Sequence, residues 1–198
     1  MIINENLLKA YGAQLISLEK DEYLLRMQTS PKNYYQIKNG SLKITSNTNG
    51  NNEFIHQLLG RGEPIGETFL SPETFYTINA VALSDMNIYV VSKEKFFQLL
   101  EKHPEIINKL YEFSCQYINH QRELINLVAY SDPRSKIIAV IDYLKKSQEH
   151  FELFQYEIPY TRKQLASLTG LRTETVIRVV KLMEKEKSVK IVDGKIFY

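Results

Sequence analysis

The sequence predicts an α+β protein in three parts: an N-terminal antiparallel β-roll of the double-sheet jelly-roll type, a long helix and a C-terminal winged helix. Three patterns predict this order. Short β-prone runs alternate with turn residues from Ala13 to Val91, an apolar heptad pattern follows Pro104, and two helical patterns precede an Asp-Gly turn. We therefore expect three regions, with boundaries at 1–103, 104–131 and 132–198.

Seven short runs rich in β-branched and aromatic residues predict the strands of the roll. Gly, Asn, Pro and Ser separate them at a spacing that favours an antiparallel roll over a parallel sheet. The stretch 47–52 predicts a hairpin tip, because Asn and Gly tolerate positive φ. The runs lie at 13–19, 22–28, 34–40, 41–46, 53–59, 76–83 and 87–92.

The segment 60–67, with the sequence GRGEPIGE, places three glycines before Glu67. This density of glycine predicts several backbone positions with positive φ or with a close neighbour. A turn-rich corner of the roll is the ordinary interpretation. A backbone cradle for a small anion or a sugar is the alternative, and the sequence leaves both open.

A short helix is predicted from Lys93 to Lys102, and Pro104 suits the first turn of a longer one. From Ile106 onward, apolar residues recur at alternating gaps of four and three, the pattern of two parallel helices. The 27 residues from Pro104 to Tyr130 correspond to about 40 Å of helix, so we expect a homodimer. An adjacent face with Ile107, Ile118, Ile125 and Val128 could pack on the roll. The expected dimer residues are Leu110, Phe113, Tyr117, His120, Leu124 and Leu127.

The stretch from Tyr160 to Met183 predicts two helices joined by a tight turn. Thr161 and Gln164 match a capping box, and Gly170 stands where a left-handed residue ends a helix. In the second helix, four apolar residues share one face: Val176, Val179, Val180 and Met183. The opposite face carries Arg172, Thr173, Glu174, Thr175 and Arg178.

Two short β-prone runs joined by Asp193-Gly194 follow, and Asp-Gly is a strong hairpin signal. The two helices alone would also fit an ordinary helical hairpin with a solvated face. Together with the hairpin they predict a winged helix-turn-helix, whose second helix enters the major groove of DNA.

Positive charge is concentrated in the last part of the sequence. Residues 160–198 hold nine basic and four acidic side chains, although the whole 198-residue chain has a net charge of only +2. This distribution predicts an anionic partner for that region, namely double-stranded DNA. The candidate phosphate contacts are Thr161, Arg162, Lys163, Lys187 and Lys190.

The segments 35–44, 62–67, 161–162 and 170–178 together resemble the CRP/FNR family of bacterial transcription regulators. The most specific match is the run from Glu174 to Arg178. The resemblance covers nearly the whole chain and implies a cyclic-nucleotide-binding-like roll, a dimer helix and an inverted-repeat operator. If the protein activates transcription, RNA polymerase is a further partner. The effector pocket that the resemblance implies contains Gly66, Glu67, Thr68, Tyr76, Thr77, Gln121 and Arg122.

Several positions depart from the family pattern. Tyr76-Thr77 stands where cyclic-AMP-binding members carry Arg-Ser, and Gln121 and Arg122 replace the Thr and Ser that reach the adenine. Tyrosine cannot pair with a phosphate as arginine does, and a buried phosphate without a counter-charge is costly. We therefore predict that the chain does not bind cyclic AMP in the familiar way. Thr173 likewise stands where the family's recognition helix usually carries Arg.

Other classes of function find less support in the sequence. The single cysteine, Cys115, gives no ligand cluster for an iron–sulfur centre, and the effector is not identified. No nucleophile–base set, P-loop or metal motif indicates an enzyme. No apolar run reaches the roughly 18 residues of a membrane span, so we expect a cytoplasmic protein. The alternative function is a small-ligand-binding module whose helical C-terminal domain contacts a protein partner.

Overall fold

The computed structural model describes residues 1–47, 53–70, 75–128, 132–146 and 152–198. The chain divides into two compact units, Met1–Tyr117 and Ile118–Tyr198. Each unit has its own buried residues and its own sheet or hairpin.

The first unit begins with helix α1 (Glu5–Ala10), whose N-terminus is capped by the side chain of Asn4. Helices α2 (Lys93–Lys102) and α3 (Pro104–Val128) follow the strands, and α3 continues past Tyr117 into the second unit. The strands between α1 and α2 are β1 (Gln14–Leu18), β2 (Tyr23–Leu25), β3 (Asn33–Asn39), β4 (Leu42–Asn47), β5 (Glu53–Leu59), β6 (Pro64–Ile65), β7 (Asn79–Ala82) and β8 (Met86–Ser92).

The strands form two four-stranded antiparallel sheets, in the orders β1-β8-β3-β6 and β2-β7-β4-β5. This confirms the predicted double-sheet roll, and each of the seven predicted runs overlaps a strand. Strand β6 lies inside the glycine-rich segment, where the sequence predicted only turns. Most of the predicted hairpin tip, residues 48–52, lies outside the described residues.

Side chains of the central strands β3 and β8 point alternately to the two faces of the sheet and pack into two different cores. Ile37 and Ile88 belong to the core between the sheets, while Tyr34 and Tyr89 belong to the core beneath the helices. Tyr34 stacks on Phe96 of α2 with ring centroids 4.3 Å apart. Helices α1 and α2 are therefore held on the outer face of the first sheet.

The buried amide of Gln36 ties the N-terminal segment to the same sheet. Its side-chain oxygen accepts the Ile3 N–H at 3.0 Å and the Tyr34 O–H at 2.8 Å. Its amide group donates to the Ile3 carbonyl at 2.9 Å. These hydrogen bonds fix the position of the N-terminal segment on β3, because any shift would leave the buried amide of Gln36 without partners.

Helix α3 packs on the roll through residues that the sequence assigned to a dimer. Leu110 packs against the core beneath the helices and Phe113 against the core between the sheets, so both residues contact the roll, and their part in a dimer stays a prediction. The row left exposed is the adjacent one: Ile107 is 48% exposed, Tyr111 69%, Ile118 48% and Ile125 67%. Two neighbouring stripes of one helix have the same heptad spacing, so the spacing alone could not tell which one faces the roll.

The other four predicted dimer residues are either half-buried or have side chains that the structure does not describe. Tyr117 and His120 are half-buried. The His120 ring lies 4.9 Å from that of Tyr143, and burial lowers the pKa of His120. The side chains of Leu124 and Leu127 lie outside the described part of the chain.

The second unit contains helices α4 (Pro133–Lys146), α5 (Arg162–Thr169) and α6 (Thr173–Lys185), then strands β9 (Lys190–Val192) and β10 (Lys195–Phe197). Asp132 caps α4 by accepting the Ser135 N–H at 2.8 Å. Ser131, the last residue of the predicted middle region, lies outside the described residues. Its core comes from all three helices and includes Ile137, Ile141, Leu165, Val176 and Met183.

The wing has the predicted hairpin turn. Asp193 and Gly194 both have positive φ, 49° and 79°, as the tightest hairpin turns require. The extended segment before α5 adds to the hairpin, since the Ile158 N–H donates to the Ile196 carbonyl at 2.8 Å. The wing is thereby fastened to the helical part of its own unit.

We expect Gly40→Ala to destabilise the protein more than Gly12→Ala. Both glycines have positive φ, +86° and +79°, so both variants carry a backbone cost of roughly 1–2 kcal/mol. Only at Gly40 would the new Cβ collide, 2.4 Å from the Met86 Cβ, which adds about 1–3 kcal/mol. Urea unfolding measures the difference, and equal losses for the two variants would contradict the packing described for Gly40.

Candidate nucleic-acid interface

The start of α5 is fixed by the predicted capping box. The Thr161 hydroxyl accepts the Gln164 N–H at 3.2 Å, and the Gln164 side-chain oxygen accepts the Thr161 N–H at 2.9 Å. At the other end Gly170 has φ +67°, and the Leu171 N–H donates to the Ala166 carbonyl at 3.1 Å. These contacts set the turn that leads into α6.

Helix α6 has one buried and one exposed face. Val176 and Met183 are fully buried and Val180 is 1% exposed, as the spacing predicted. On the opposite side Arg172, Glu174 and Arg178 are exposed, while Thr173 and Thr175 are half-buried. A helix with this division presents charged donors and acceptors from its first two turns, which is what readout of base edges requires.

The predicted phosphate contacts surround this face, and one of them has a further role. Thr161, Lys163, Lys187 and Lys190 are exposed. The Arg162 guanidinium is half-buried and donates to the Gly194 carbonyl, so it joins the start of α5 to the turn of the wing. This contact could not be predicted from the sequence, because it depends on how the wing folds back.

A groove of about 660 Å³ between the start of α4 and the outer face of α6 carries basic residues that the sequence analysis missed. Arg134, Lys181 and Lys185 line it together with Arg178. The spacing of three and seven residues from Arg178 could have pointed to the two lysines. Arg134 could not be found in this way, because the packing of α4 brings it there.

The region of the predicted effector pocket is occupied by an aromatic side chain. Gly66 has φ +80° and begins a 3₁₀ turn, Glu67–Phe69. The Tyr76 side chain is 3% exposed, and a Cβ on Gly66 would lie 3.5 Å from its hydroxyl oxygen. Among the described residues this hydroxyl has no hydrogen-bond partner, and burial raises its pKa. Tyrosine therefore fills the space beside the glycine turn.

The structure brings only part of the predicted pocket together. Burial raises the pKa of Glu67, and the charge of that carboxylate contributes to a raised pKa at Tyr117. Thr68 and Thr77, by contrast, are exposed, and their place in the pocket stays a prediction. Of the two α3 residues beyond Tyr117, Gln121 is half-buried and Arg122 exposed.

The first part of the glycine-rich segment is a structural corner. Gly62 has φ +88°, and a Cβ there would lie 2.9 Å from the Met1 Cα. The Gly62 carbonyl accepts the Ile2 N–H at 3.2 Å. Glu63 closes the turn by accepting the Gly60 N–H at 2.6 Å. The interpretation as a turn-rich corner of the roll therefore explains Gly62, because the N-terminal backbone passes too close for a side chain there.

Comparison with known proteins agrees with this architecture. Residues 15–103 match the family model of the cyclic nucleotide-binding domain, and residues 135–197 match that of the Crp-like helix-turn-helix domain. The chain is 30% identical over 158 residues to the cAMP-activated global transcriptional regulator CRP of Haemophilus influenzae, covering 77% of this chain and 69% of that protein. It is 25% identical over 186 residues to the transcriptional activator protein FnrA of Stutzerimonas stutzeri, covering 89% and 76%.

A solved structure shows the same fold. The c-di-GMP responsive global regulator CLP of Xanthomonas campestris superposes with a TM-score of 0.85 at 17% identity, covering 98% of both chains. The chain belongs to the CRP/FNR family of transcription regulators, which are not enzymes, and it carries the family's helix-turn-helix DNA-binding domain. None of the helices in the described part of the chain combines the length and apolar character that crossing a membrane requires.

We expect Glu67→Gln to stabilise the protein at neutral pH. The pKa of Glu67 is raised in the folded state by burial, so folding disfavours the carboxylate above that pKa. A neutral amide removes this penalty. At about pH 4, below the ordinary value of 4.5, the carboxyl is largely protonated in both states and the gain should shrink.

Urea unfolding at the two pH values provides the measurement. Glu101→Gln is the control, because Glu101 is exposed and should respond weakly at both. A loss of stability in Glu67→Gln at neutral pH would show instead that the carboxylate has a stabilising partner.

Proposed function

We propose that this chain is a dimeric, sequence-specific DNA-binding regulator that acts in the cytoplasm on an inverted-repeat operator. The observation that carries the proposal is the exposed charged face of α6 opposite its buried face. We retain 1–103, 104–131 and 132–198 as the sensor, dimer-helix and DNA-binding regions. If the protein activates transcription, RNA polymerase is a further partner.

Base readout would come from the first two turns of α6. Glu174 can accept from a cytosine amino group, and Arg178 can donate two hydrogen bonds to a guanine edge. Arg172, Thr173 and Thr175 adjoin them on the same side of the helix. The phosphate contacts in this proposal are Thr161, Arg162, Lys163, Lys187 and Lys190.

The exposed row on α3 supports the dimer. Ile107, Tyr111, Ile118 and Ile125 follow gaps of four, seven and seven, so a parallel partner helix could cover all of them. A two-fold dimer presents two identical copies of α6 to the DNA. This geometry selects an inverted repeat whose half-sites lie about one helical turn apart. The dimer contact proposed here therefore uses the row beside the one that the sequence suggested.

The effector in this proposal is not cyclic AMP bound in the mode of cyclic-AMP-binding members. Tyr76 is buried against Gly66 at the position where those members carry arginine. Without a cationic fork there, a cyclic phosphate would lose its hydration and gain no counter-charge. The relative from H. influenzae is named as cAMP-activated, so the difference lies in the pocket and not in the fold.

Arg178→Ala should cost roughly 1–3 kcal/mol of specific binding and relax one base position, because a bidentate base contact is lost. Lys163→Gln should weaken binding to all sequences evenly, because phosphates carry no sequence information. Fluorescence anisotropy with selected and random duplexes measures both effects. Equal losses on both kinds of duplex for both variants would contradict the assigned roles.

Ile118→Glu should convert the protein to a monomer, because it places a charge in the exposed apolar row of α3. Affinity for an inverted repeat should then fall roughly 100-fold or more, since the second half-site is no longer linked. Analytical ultracentrifugation measures the mass.

Leu110→Ala is the matched control for that variant. Leu110 packs on the roll, so its truncation should cost about 2 kcal/mol of stability and leave the dimer intact. The dimer proposal fails if Ile118→Glu remains dimeric, or if Leu110→Ala is the variant that dissociates while still folded.

Calorimetry with cyclic AMP should show no binding at micromolar concentrations, for lack of a cation beside Gly66. The Haemophilus influenzae regulator serves as the positive control for the titration. Micromolar or tighter binding that disappears on Thr77→Ala would overturn this expectation.

A further inference from the structure

The basic groove, defined by Arg134, Arg178, Lys181 and Lys185, shares Arg178 with the exposed charged face of α6 and extends beyond that face. Its walls are the first turn of α4 and the outer face of the second half of α6. The groove has a volume of about 660 Å³ and, besides these four residues, is lined by Asp132 and Leu182 among others. Four basic side chains thus line it against one carboxylate.

Most of this positive charge has no ion-pair partner in the part of the chain that the structure describes. Among the described residues no ion pair involves Arg178, Lys181 or Lys185. Arg134 pairs with Glu186 at 2.7 Å and contacts the Ser188 hydroxyl at 3.4 Å, while its buried Nε has no hydrogen-bond partner there.

The carboxylate that lines the groove and the carboxylate that pairs with Arg134 are both engaged. The Asp132 carboxylate accepts both the backbone N–H and the hydroxyl of Ser135, each at 2.8 Å, and these bonds hold it against the start of α4. Glu186 is held by Arg134. The groove therefore keeps uncompensated positive charge from Arg178, Lys181 and Lys185, which favours an anion.

The spacing of these cations fits a nucleic-acid backbone. Arg178, Lys181 and Lys185 are separated by three and four residues, so they lie in one row along α6. From Arg178 to Lys185 the helix rises roughly 10 Å, close to the rise of three nucleotides along one DNA strand at about 3.4 Å each. The row begins at Arg178, which would read a base, and continues to Lys181 and Lys185, which would contact the adjacent phosphates.

We propose that the basic groove binds backbone phosphates of the operator, through Lys181, Lys185 and Arg134, next to the base read by Arg178. The inference rests on the proposed DNA-binding function and extends the contact surface to the start of α4. A protein partner is the competing occupant, because Leu182 is 49% exposed in the groove. Three apolar residues, Pro133, Val179 and Leu182, line the groove beside its four cations. Because the groove is continuous with the charged face of α6, the four cations favour DNA.

The test compares Lys181→Gln/Lys185→Gln with Lys20→Gln/Lys102→Gln in the full-length chain. The control pair removes two exposed lysines from the other compact unit. Affinity for a selected duplex and for a random duplex is measured over a range of salt concentrations. Each phosphate contact contributes about 0.9 to the slope of log affinity against log salt.

The groove variant should flatten that slope by roughly 2 for every protomer bound, and by the same amount on both duplexes. The control should keep the wild-type slope, and both variants should melt like the wild type. A groove variant with the wild-type slope overturns the inference. So does a variant that binds DNA normally but loses output in a transcription reporter, since that result assigns the groove to a protein.

Arg178→Ala separates this inference from the proposed function. If the wild type prefers no duplex sequence over random DNA and Arg178→Ala changes nothing, the proposed function fails. If the wild type discriminates and Arg178→Ala does not, the function stands, and the slope of the groove variant decides the inference alone.

Discussion

The buried face of α6 is the constraint on which the reading surface depends. Val176, Val180 and Met183 are packed among α4 and α5, and burying each such side chain contributes about 1.5–3 kcal/mol. Rotating the helix would expose them and would bury Glu174 or Arg178, a change that costs several kcal/mol more. The packing of this apolar face therefore holds the three helices of the second unit together. It also keeps the charged face of α6 turned toward solvent. The capping box fixes the start of α5, and the contact of Arg162 with the Gly194 carbonyl joins that helix to the wing.

The first unit shows how a shared fold can hold different chemistry. Its two sheets and glycine turn match the cyclic nucleotide-binding family, yet Tyr76 fills the space beside Gly66 with a neutral ring. The fold sets where a ligand could lie, and the side chains at that place decide which ligand gains a partner. The buried hydroxyl of Tyr76 offers a phosphate no positive charge at this place, and burial raises the pKa of the nearby Glu67 carboxyl.

Features set by short-range chemistry could be predicted from the sequence. The seven strands, the bounds of α2, the capping box at Thr161 and the turn at Asp193 follow from local patterning and backbone preference. Features that depend on packing between elements could not. The spacing on α3 fits two adjacent stripes, so the pattern did not show that Leu110 faces the roll. Arg134 joins the basic groove, and Thr77 turns away from Tyr76, only once the chain is folded.

Selection of bound duplexes from a random DNA pool tests the central claim most directly, namely that α6 is a sequence-reading helix delivered in two copies. The account predicts enrichment of an inverted repeat whose half-sites lie about one helical turn apart. Recovery of a pool that stays random at low ionic strength, or of a single unpaired half-site, would contradict it.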